Sequence, residues 1–459
     1  MIPVVTPAEM AAVDRAAPEP ADVLVARAGW AVAVAALDMM GGGYGRRVVV
    51  MAGKGNNGAD GRYAAGCLAR RGVRVTVVDA AETGAAGVGP AGLELRGVDL
   101  VVDAAYGTGF RGEYQAPDAE GRPVLAVDIP SGVAGLTGAA GPGAVRADRT
   151  VTFAALKPGL VFPPGRALAG AVDVVDIGLD VSSATVHVVE HEDVDGWVPR
   201  RPVDTHKWKS AVWVVAGSSG RTGAASLAAR AAMRAGAGIV RLGIPGVDTP
   251  PPFLELVGRA IPSDGWDDDV LADLGRAQAL VVGPGLGRAA ATGAAVRRLV
   301  SAAPVPTVID ADGLYALGTA DEAVAVLRGR AAPTVLTPHD GEYTRLAGQS
   351  PGDDRVAAAR HLAAQTRATV LLKGPTTVVA DPSGRALLST AGDERLATAG
   401  TGDVLAGVIG AYLAQGLDGL HAGAAAAFVH GRAGHLGWRH GLVAGDLLDL
   451  LPAVLDRRP

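Results

Sequence analysis

Short apolar runs that end in glycine-rich turns recur along this chain in two series, and that rhythm restricts the fold more than any other feature. The first series begins at residue 46 and comprises RRVVVMA, VRVTVVDA, VDLVVDAAYGTG, PVLAVDIPSG, RTVTFAALKPG and AVDVVDIGL. Rich in β-branched residues and lacking polar alternation, such runs read as strands buried on both faces of a mainly parallel sheet. The second series opens with AVWVVAGSSG at residue 211 and continues through ALVVGPGLGR, PTVIDADGLYAL, PTVLTPHDGE and TVLLKGPTTVVADPSG to LATAGTGDVLAGVIGAYLAQGL. Between them lies EHEDVDGWVPRRPVDTHKWKS, rich in charge and proline, which marks a boundary near residue 200. The expectation is an α/β chain of two three-layer αβα domains, residues 1–196 and 201–459. The length of 459 residues agrees, since one hydrophobic core rarely serves so long a chain.

Composition narrows the function classes. A net charge of -5 gives no basic field, which argues against a nucleic-acid partner. Cys67 is the single cysteine, so no intramolecular disulfide forms. The start, MIPVVTPAEMAAVDRAA, has no basic and apolar leader pattern and reads as a helix capped by Thr6, with Pro7 in its first turn and Glu9 closing a capping box. The longest charge-free apolar stretch, residues 404–417, is shorter than the ~20 residues of a membrane span. The expectation is a cytoplasmic protein without membrane contact. Five lysines remain in a chain that otherwise uses arginine: Lys54, Lys157, Lys207, Lys209 and Lys373.

Gly53, Gly55 and Gly58 spell G-x-G-x-x-G after a strand, with Asp79 about twenty residues on, the spacing of a dinucleotide-binding fingerprint. Such a fingerprint leaves its helix N-terminus open to a pyrophosphate. Here Asp60 stands where the phosphates would lie, which argues against ordinary NAD docking. Asn56 and Asn57, with Asp103, Asp128 and Ser131 at later strand ends, gather amide, carboxylate and hydroxyl oxygens suited to a hard cation and a polar ligand. Taken singly, Asp103 or Asp128 reads equally well as a carboxylate capping a turn.

Together AGKGNNGADG, DAAYGTGFRG, VDIPSG and FAALKPG resemble the NAD(P)H-hydrate epimerase family over most of residues 1–196. The resemblance implies a Rossmann-like domain in which Asn57, Asp103 and Ser131 bind potassium. It implies that Asn56, Asn57, Gly58 and Asp60, the loop of Gly107, Thr108 and Gly109, and Asp128 hold the damaged dinucleotide, with Lys157 close by. Inverting a hydroxyl-bearing carbon requires a proton acceptor and donor beside it, and Asp128 is the candidate, with Lys157 in support. Ala59 stands where the family has glycine.

In the second half, Gly400, Thr401 and Gly402 precede a long apolar helix with Asp403 in its first turn. Backbone amides at such a terminus make an anion hole, and the neighbouring carboxylate can take a proton from an attacking hydroxyl, a pairing suited to phosphoryl transfer. The same tetrapeptide also reads as a loop with Asp403 as a cap. Lys373 and the two threonines Thr376 and Thr377, in KGPTT, can hold nucleotide phosphate or ribose, and Lys373 alone reads equally well as a solvated strand-end charge.

With HKWKSAVWVVAGSSGRTGAA, GPGLGR, DADGL and LTPHDGE, these motifs resemble the ADP/ATP-dependent NAD(P)H-hydrate dehydratases, which have a ribokinase-like fold, over residues 201–450. The resemblance implies that Lys373, Gly374, Pro375, Thr376, Thr377, Gly400, Thr401 and Gly402 bind ADP or ATP, with Mg2+. It implies that Ala224, Gly287 and His339 contact the substrate and that Asp403 is the catalytic base. HKWKSA and PPFLELVG depart from the family pattern. The expected protein is a bifunctional, homo-oligomeric repair enzyme for NADHX and NADPHX. The alternative is a ribokinase-like small-molecule kinase fused to a non-catalytic Rossmann-like binding domain.

Overall fold

The structure, a computed structural model, describes residues 1–80, 95–110, 112, 114–248 and 254–455. Arg111 of the GTGFRG loop and the Pro251 to Phe253 part of PPFLELVG lie outside the described residues. Two compact units divide between Thr185 and Val186. The division falls upstream of the boundary expected near residue 200.

In the first unit, strand β1 (Ile2–Val4) leads into helix α1 (Pro7–Ala16), where Thr6 and Glu9 form the expected capping box. Helix α2 (Ala21–Met40) follows, then β2 (Arg47–Ala52), α3 (Asn56–Ala69), β3 (Arg74–Asp79), β4 (Leu100–Ala104), β5 (Val124–Val127) and β6 (Arg149–Phe153). Two single-turn helices, α4 (Pro158–Val161) and α5 (Gly165–Leu168), precede β7 (Ala171–Val175). The sheet order is β3-β2-β4-β5-β6-β7, all parallel. Chain order reverses between β2 and β4, and ligands in such sheets collect outside the carboxyl ends of the strands at that switch point.

Among the described residues, α2 is the one helix long and apolar enough to cross a membrane. Its residues Val32, Ala33, Ala35 and Ala36 are buried in the unit's core, and a Cβ at Gly29 would lie 2.7 Å from the Asp60 carbonyl in α3. Small residues there let the two helices close on each other.

The second unit continues with β8 (Val186–Val188), α6 (His191–Trp197), β9 (Ala211–Val215), α7 (Thr222–Arg234), β10 (Ile239–Pro245), β11 (Val257–Ile261) and α8 (Trp266–Asp273). Next come β12 (Ala279–Val282), α9 (Ala290–Ala302), β13 (Thr307–Ile309), α10 (Asp312–Leu317), α11 (Ala320–Leu327), β14 (Thr334–Leu336), α12 (Asp340–Ala347) and α13 (Arg355–Thr366). The last elements are β15 (Thr369–Leu372), β16 (Thr377–Ala380), β17 (Ala386–Ser389), α14 (Thr401–Ala414), α15 (Gly419–Leu436) and α16 (Ala444–Leu455).

Its strands run β8-β17-β16-β15-β14-β13-β12-β9-β10-β11, parallel except where β16 pairs antiparallel with β15 and β17. The switch point lies between β9 and β12. Helix α14 is buried nearly all round, which matches its apolar, unperiodic sequence VLAGVIGAYLA. The HKWKSA departure forms a 3-10 turn, Lys207–Ser210, whose Trp208 ring lies 4.9 Å from the Arg241 guanidinium and 4.4 Å from that of Arg276.

Candidate functional sites

At the first unit's switch point a cavity of about 600 Å³ opens, lined by Asn56, Asn57, Asp60, Gly107, Thr108, Gly109, Asp128 and Lys157, all expected there, and by Asp14, which was not. Gly58 plays another part. A Cβ at Gly58 would sit 1.8 Å from the Gly53 carbonyl, and one at Gly53 would sit 1.9 Å from that of Ala105. These two glycines let the start of α3 and the ends of β2 and β4 touch; Gly55 has open space around it. The fingerprint spacing therefore serves backbone packing, and Asp60, 7% exposed, faces the cavity where an ordinary fingerprint would place phosphate.

Asp128 follows β5 with φ at 65°, in the left-handed region that Asp tolerates better than most side chains. Its carboxylate is gripped. Lys157 Nζ, from a side chain 1% exposed, lies 2.6 Å from Asp128 Oδ1, and Thr152 Oγ1 donates to the same oxygen at 3.1 Å. Lys157 also donates to Thr152 Oγ1 at 2.8 Å and to the Phe153 carbonyl at 3.0 Å. Its three donors are thus committed, and it acts as a fixed positive charge beside Asp128. Thr152 was missed because a threonine inside a strand carries no distinguishing sequence signal.

Asp60 lines the same cavity. Burial, then the charges of Asp128 and Asp14, push its carboxyl up to about 8, so it carries a proton at neutral pH. Burial raises Asp14 as well. A carboxyl that keeps its proton at neutral pH can serve as a proton donor in this cavity.

Next to them, Asp103 is fully enclosed. Its Oδ1 accepts from Ser131 Oγ at 2.7 Å and its Oδ2 from the Ser131 amide at 2.8 Å. Burial pushes it up to about 6 against those bonds. Both side-chain polar atoms of Asn57 are buried without a hydrogen-bond partner, an unusual cost unless a ligand completes them. A Cβ at Gly107 would lie 3.5 Å from both Asn57 Cβ and Asp128 Oδ2, so the 105–110 loop joins the two groups.

In the second unit the Gly217 amide donates to the Pro284 carbonyl at 2.6 Å across the switch point, and Ala224 packs within 3.1 Å of a Cβ placed on Gly285. The Gly287 amide donates to Asp312 Oδ2 at 2.9 Å. Gly400 caps α14 with φ at 92° and offers no side chain, which leaves the first amides of the helix open to an anion. A Cβ on Gly402 would lie 3.6 Å from Lys373 Nζ and 4.0 Å from Asp310 Oδ2, so the Gly400–Asp403 turn and the KGPTT strand end, far apart in sequence, meet at one place.

Asp310 is the residue that sequence reasoning passed over. It is buried after β13, accepts from Lys373 Nζ at 2.8 Å and from Thr337 Oγ1 at 2.7 Å. The DADGL motif held it in plain view, but only the fold shows it paired with Lys373. Burial first, then Asp310, push Asp403 up to about 7, with Lys373 opposing. For Lys373, burial works against its charge but Asp310 and Glu342 outweigh it, and the net shift is upward.

His339 caps α12. Its Nδ1 accepts from the Gly341 amide at 3.0 Å and the Glu342 amide at 3.3 Å, while its Nε2, on an exposed ring, lies 3.5 Å from Glu342 Oε1. In KGPTT, Thr376 is buried and Thr377 opens β16, while the Gly374 backbone lies against Arg355.

Known proteins match this architecture. The family model described as NAD(P)H-hydrate dehydratase matches residues 212–453, and that described as YjeF-related protein N-terminus matches residues 21–87 and 79–159. A bifunctional NAD(P)H-hydrate repair enzyme of Moorella thermoacetica is 37% identical, covering 98% of this chain and 96% of its own. The one from Mycobacterium tuberculosis is 43% identical, covering 82% of this chain and 80% of its own.

Among solved structures, the ADP/ATP-dependent NAD(P)H-hydrate dehydratase of Bacillus subtilis, co-crystallised with ATP and Mg2+, is 32% identical with a TM-score of 0.51 and covers 58% of this chain and 96% of its own. A ribokinase-like protein of Enterococcus faecalis, 21% identical with a TM-score of 0.53 over 59% of this chain and 95% of its own, shares the fold. With relatives of this identity spanning nearly its whole length, the chain belongs to the family of bifunctional NAD(P)H-hydrate repair enzymes.

Proposed function

We propose that the chain interconverts the R and S forms of hydrated NADH and NADPH in its first unit and dehydrates the S form in its second, consuming ADP or ATP. The observation that carries this reading is the convergence of Lys373, Asp310 and the Gly400–Asp403 turn on one point at the strand ends, beside a carboxyl poised near neutrality.

Hydroxide is a poor leaving group, so loss of water from the nicotinamide hydrate is slow until the hydroxyl is made into a phosphate ester. Asp403 takes the hydroxyl proton as the oxygen attacks the terminal phosphorus of the nucleotide; the P–O bond to the departing nucleotide breaks as the new one forms. The amides of Gly400 to Gly402 and the Lys373 ammonium stabilise the transferring phosphoryl. Elimination then expels phosphate, a neighbouring C–H gives up its proton, and the ring double bond returns. Mg2+ bound with the nucleotide phosphates would supply neutralisation of their charge.

In the first unit, protonated Asp60 donates to the departing hydroxyl of the hydrated carbon, and water returns on the opposite face as the Asp128 carboxylate takes its proton. Lys157 and Thr152 hold the Asp128 carboxylate in place. The unpartnered Asn57 amide, with Asp103 and Ser131, fits a potassium ion, which would fix these loops together. We assign the KGPTT residues and the Gly400 turn to the nucleotide, and Ala224, Gly287 and His339 to the hydrated ring's side of the site. We also retain a homo-oligomer as the working assembly.

The test is direct. Purified protein incubated with mixed R and S hydrate and ADP or ATP restores the full NADH absorbance, and without nucleotide restores none. A protein that phosphorylates a vitamin precursor but leaves the hydrate band unchanged would be the alternative kinase.

A further inference from the structure

Beside the dehydration centre lies a second, smaller cavity of about 160 Å³, lined by Arg288, Tyr315, His339, Glu342 and Arg345. It is too small for a nucleotide, since sites for whole ligands run to roughly 300–1,000 Å³. A single anionic group is a better match. Two guanidiniums converge on one ring there: the Arg345 group lies 3.6 Å from the Tyr315 centroid and that of Arg288 4.6 Å.

Arg288 Nε is held by Asp312 Oδ1 at 2.9 Å, and Asp312 Oδ2 holds the Gly287 amide, so one carboxylate fixes both the arginine and the glycine turn. Glu342, the acid in the lining, is answered by Lys373 at 3.7 Å and by the His339 amide at 2.9 Å. Arg345 has no such answer: no carboxylate among the described residues lies within ion-pair distance of it. Two positive groups drawn to one ring, one of them without an ion-pair partner and with only the more distant charge of Glu322 near it, leave a positive site open to an anion.

Position says which anion. Glu342 stands between this cavity and Lys373, so the phosphates of the adenine nucleotide, gathered at Lys373 and Gly400, are kept apart from it by a negative charge. His339, assigned to the hydrated ring's side, lines it, as does Arg288, the residue after Gly287. We propose that Arg345 and Arg288, stacked on Tyr315, form the anchor for a phosphate of the damaged dinucleotide itself, either its pyrophosphate bridge or the 2′-phosphate of the NADP form. The inference rests on the dehydratase reading above and names how that site holds its substrate.

Because such an anchor is remote from the reacting carbon, it contributes equally to substrate and transition state, and its loss shows in KM with kcat preserved. The experiment compares wild type, Arg345→Ala, Arg345→Lys and Arg288→Ala, using the full chain with saturating ADP or ATP. Steady-state kinetics are measured on S-NADHX and S-NADPHX, with equilibrium dialysis of each hydrate in the absence of nucleotide. The expected result is a KM and Kd for hydrate raised about tenfold in Arg345→Ala, little rescue by lysine, and an unchanged KM for nucleotide.

An equal rise for both hydrates assigns the pyrophosphate; a rise confined to the NADPHX form assigns the 2′-phosphate. Hydrate affinity unchanged in both alanine variants, or a rise in nucleotide KM instead, overturns the proposal. A wild type that binds hydrate without converting it overturns the dehydratase reading, while dialysis still decides the anchor. Arg345 is exposed, and matching melting temperatures confirm that folding is intact.

Discussion

Asp403 and Asp60 are both carboxyls moved toward neutrality, chiefly by burial. Asp403 must be ionised to act as a base. Its acid form persists up to about 7, so kcat/KM for dehydration in the free enzyme rises with pH through about 7 and levels off above it. Asp403→Asn removes that limb and reduces turnover by at least about a hundredfold, with nucleotide binding by calorimetry largely kept.

Asp60 has the opposite sign. Its folded-state value lies above the ordinary carboxyl value, so the proton is held below about 8 and released as pH rises through it. Epimerisation accordingly falls above about 8, and Asp60→Asn, measured by chromatography of the R and S forms, abolishes the decline together with most of the rate. The same shift makes the folded first unit lose stability as pH rises from the ordinary carboxyl range to about 8, and Asp60→Asn flattens that slope.

At the scale of elements, the glycine fingerprint separates spacing from purpose. In a dinucleotide site the glycines admit a pyrophosphate; here Gly53 and Gly58 admit neighbouring backbone, and Gly55 admits nothing. Gly58→Ala drives a methyl into the Gly53 carbonyl at the junction of β2 and α3 and destabilises the first unit by about 2 kcal/mol or more in urea unfolding. Gly55, with φ at -87°, takes alanine at little cost. Equal effects at the two positions would remove the packing account.

Legibility followed the same line. The strand runs, the Thr6 capping box and the start of α14 were readable because their signals are local: β-branched composition, a capping pair, a glycine before an apolar helix. The roles of Gly58 against Gly53 and of Thr152 against Lys157 were not, because each depends on a partner whose approach is set by the folded sheet.

For the whole molecule, each of the two units has its own core and switch-point site, and a dehydratase from Bacillus subtilis is a chain matched over 96% of its length by 58% of this one. A fragment from residue 186 onward is therefore expected to fold and to dehydrate the S hydrate with unchanged KM for nucleotide, leaving the R form untouched. Calorimetry of the intact chain is expected to show two transitions, of which ADP or ATP raises only one.

The order of residues alone determined the class of fold, the two-part organisation and the types of chemistry at each strand end, since these follow from periodicity, composition and the groups that each turn carries. Only the tertiary structure decided which of those groups meet: Asp310 with Lys373, Asp60 opposite Asp128, Arg345 over Tyr315. Those pairings join strand ends and helix starts far apart in the chain, and both the protonation states and the free charges arise from burial and proximity that exist only once the sheets have formed.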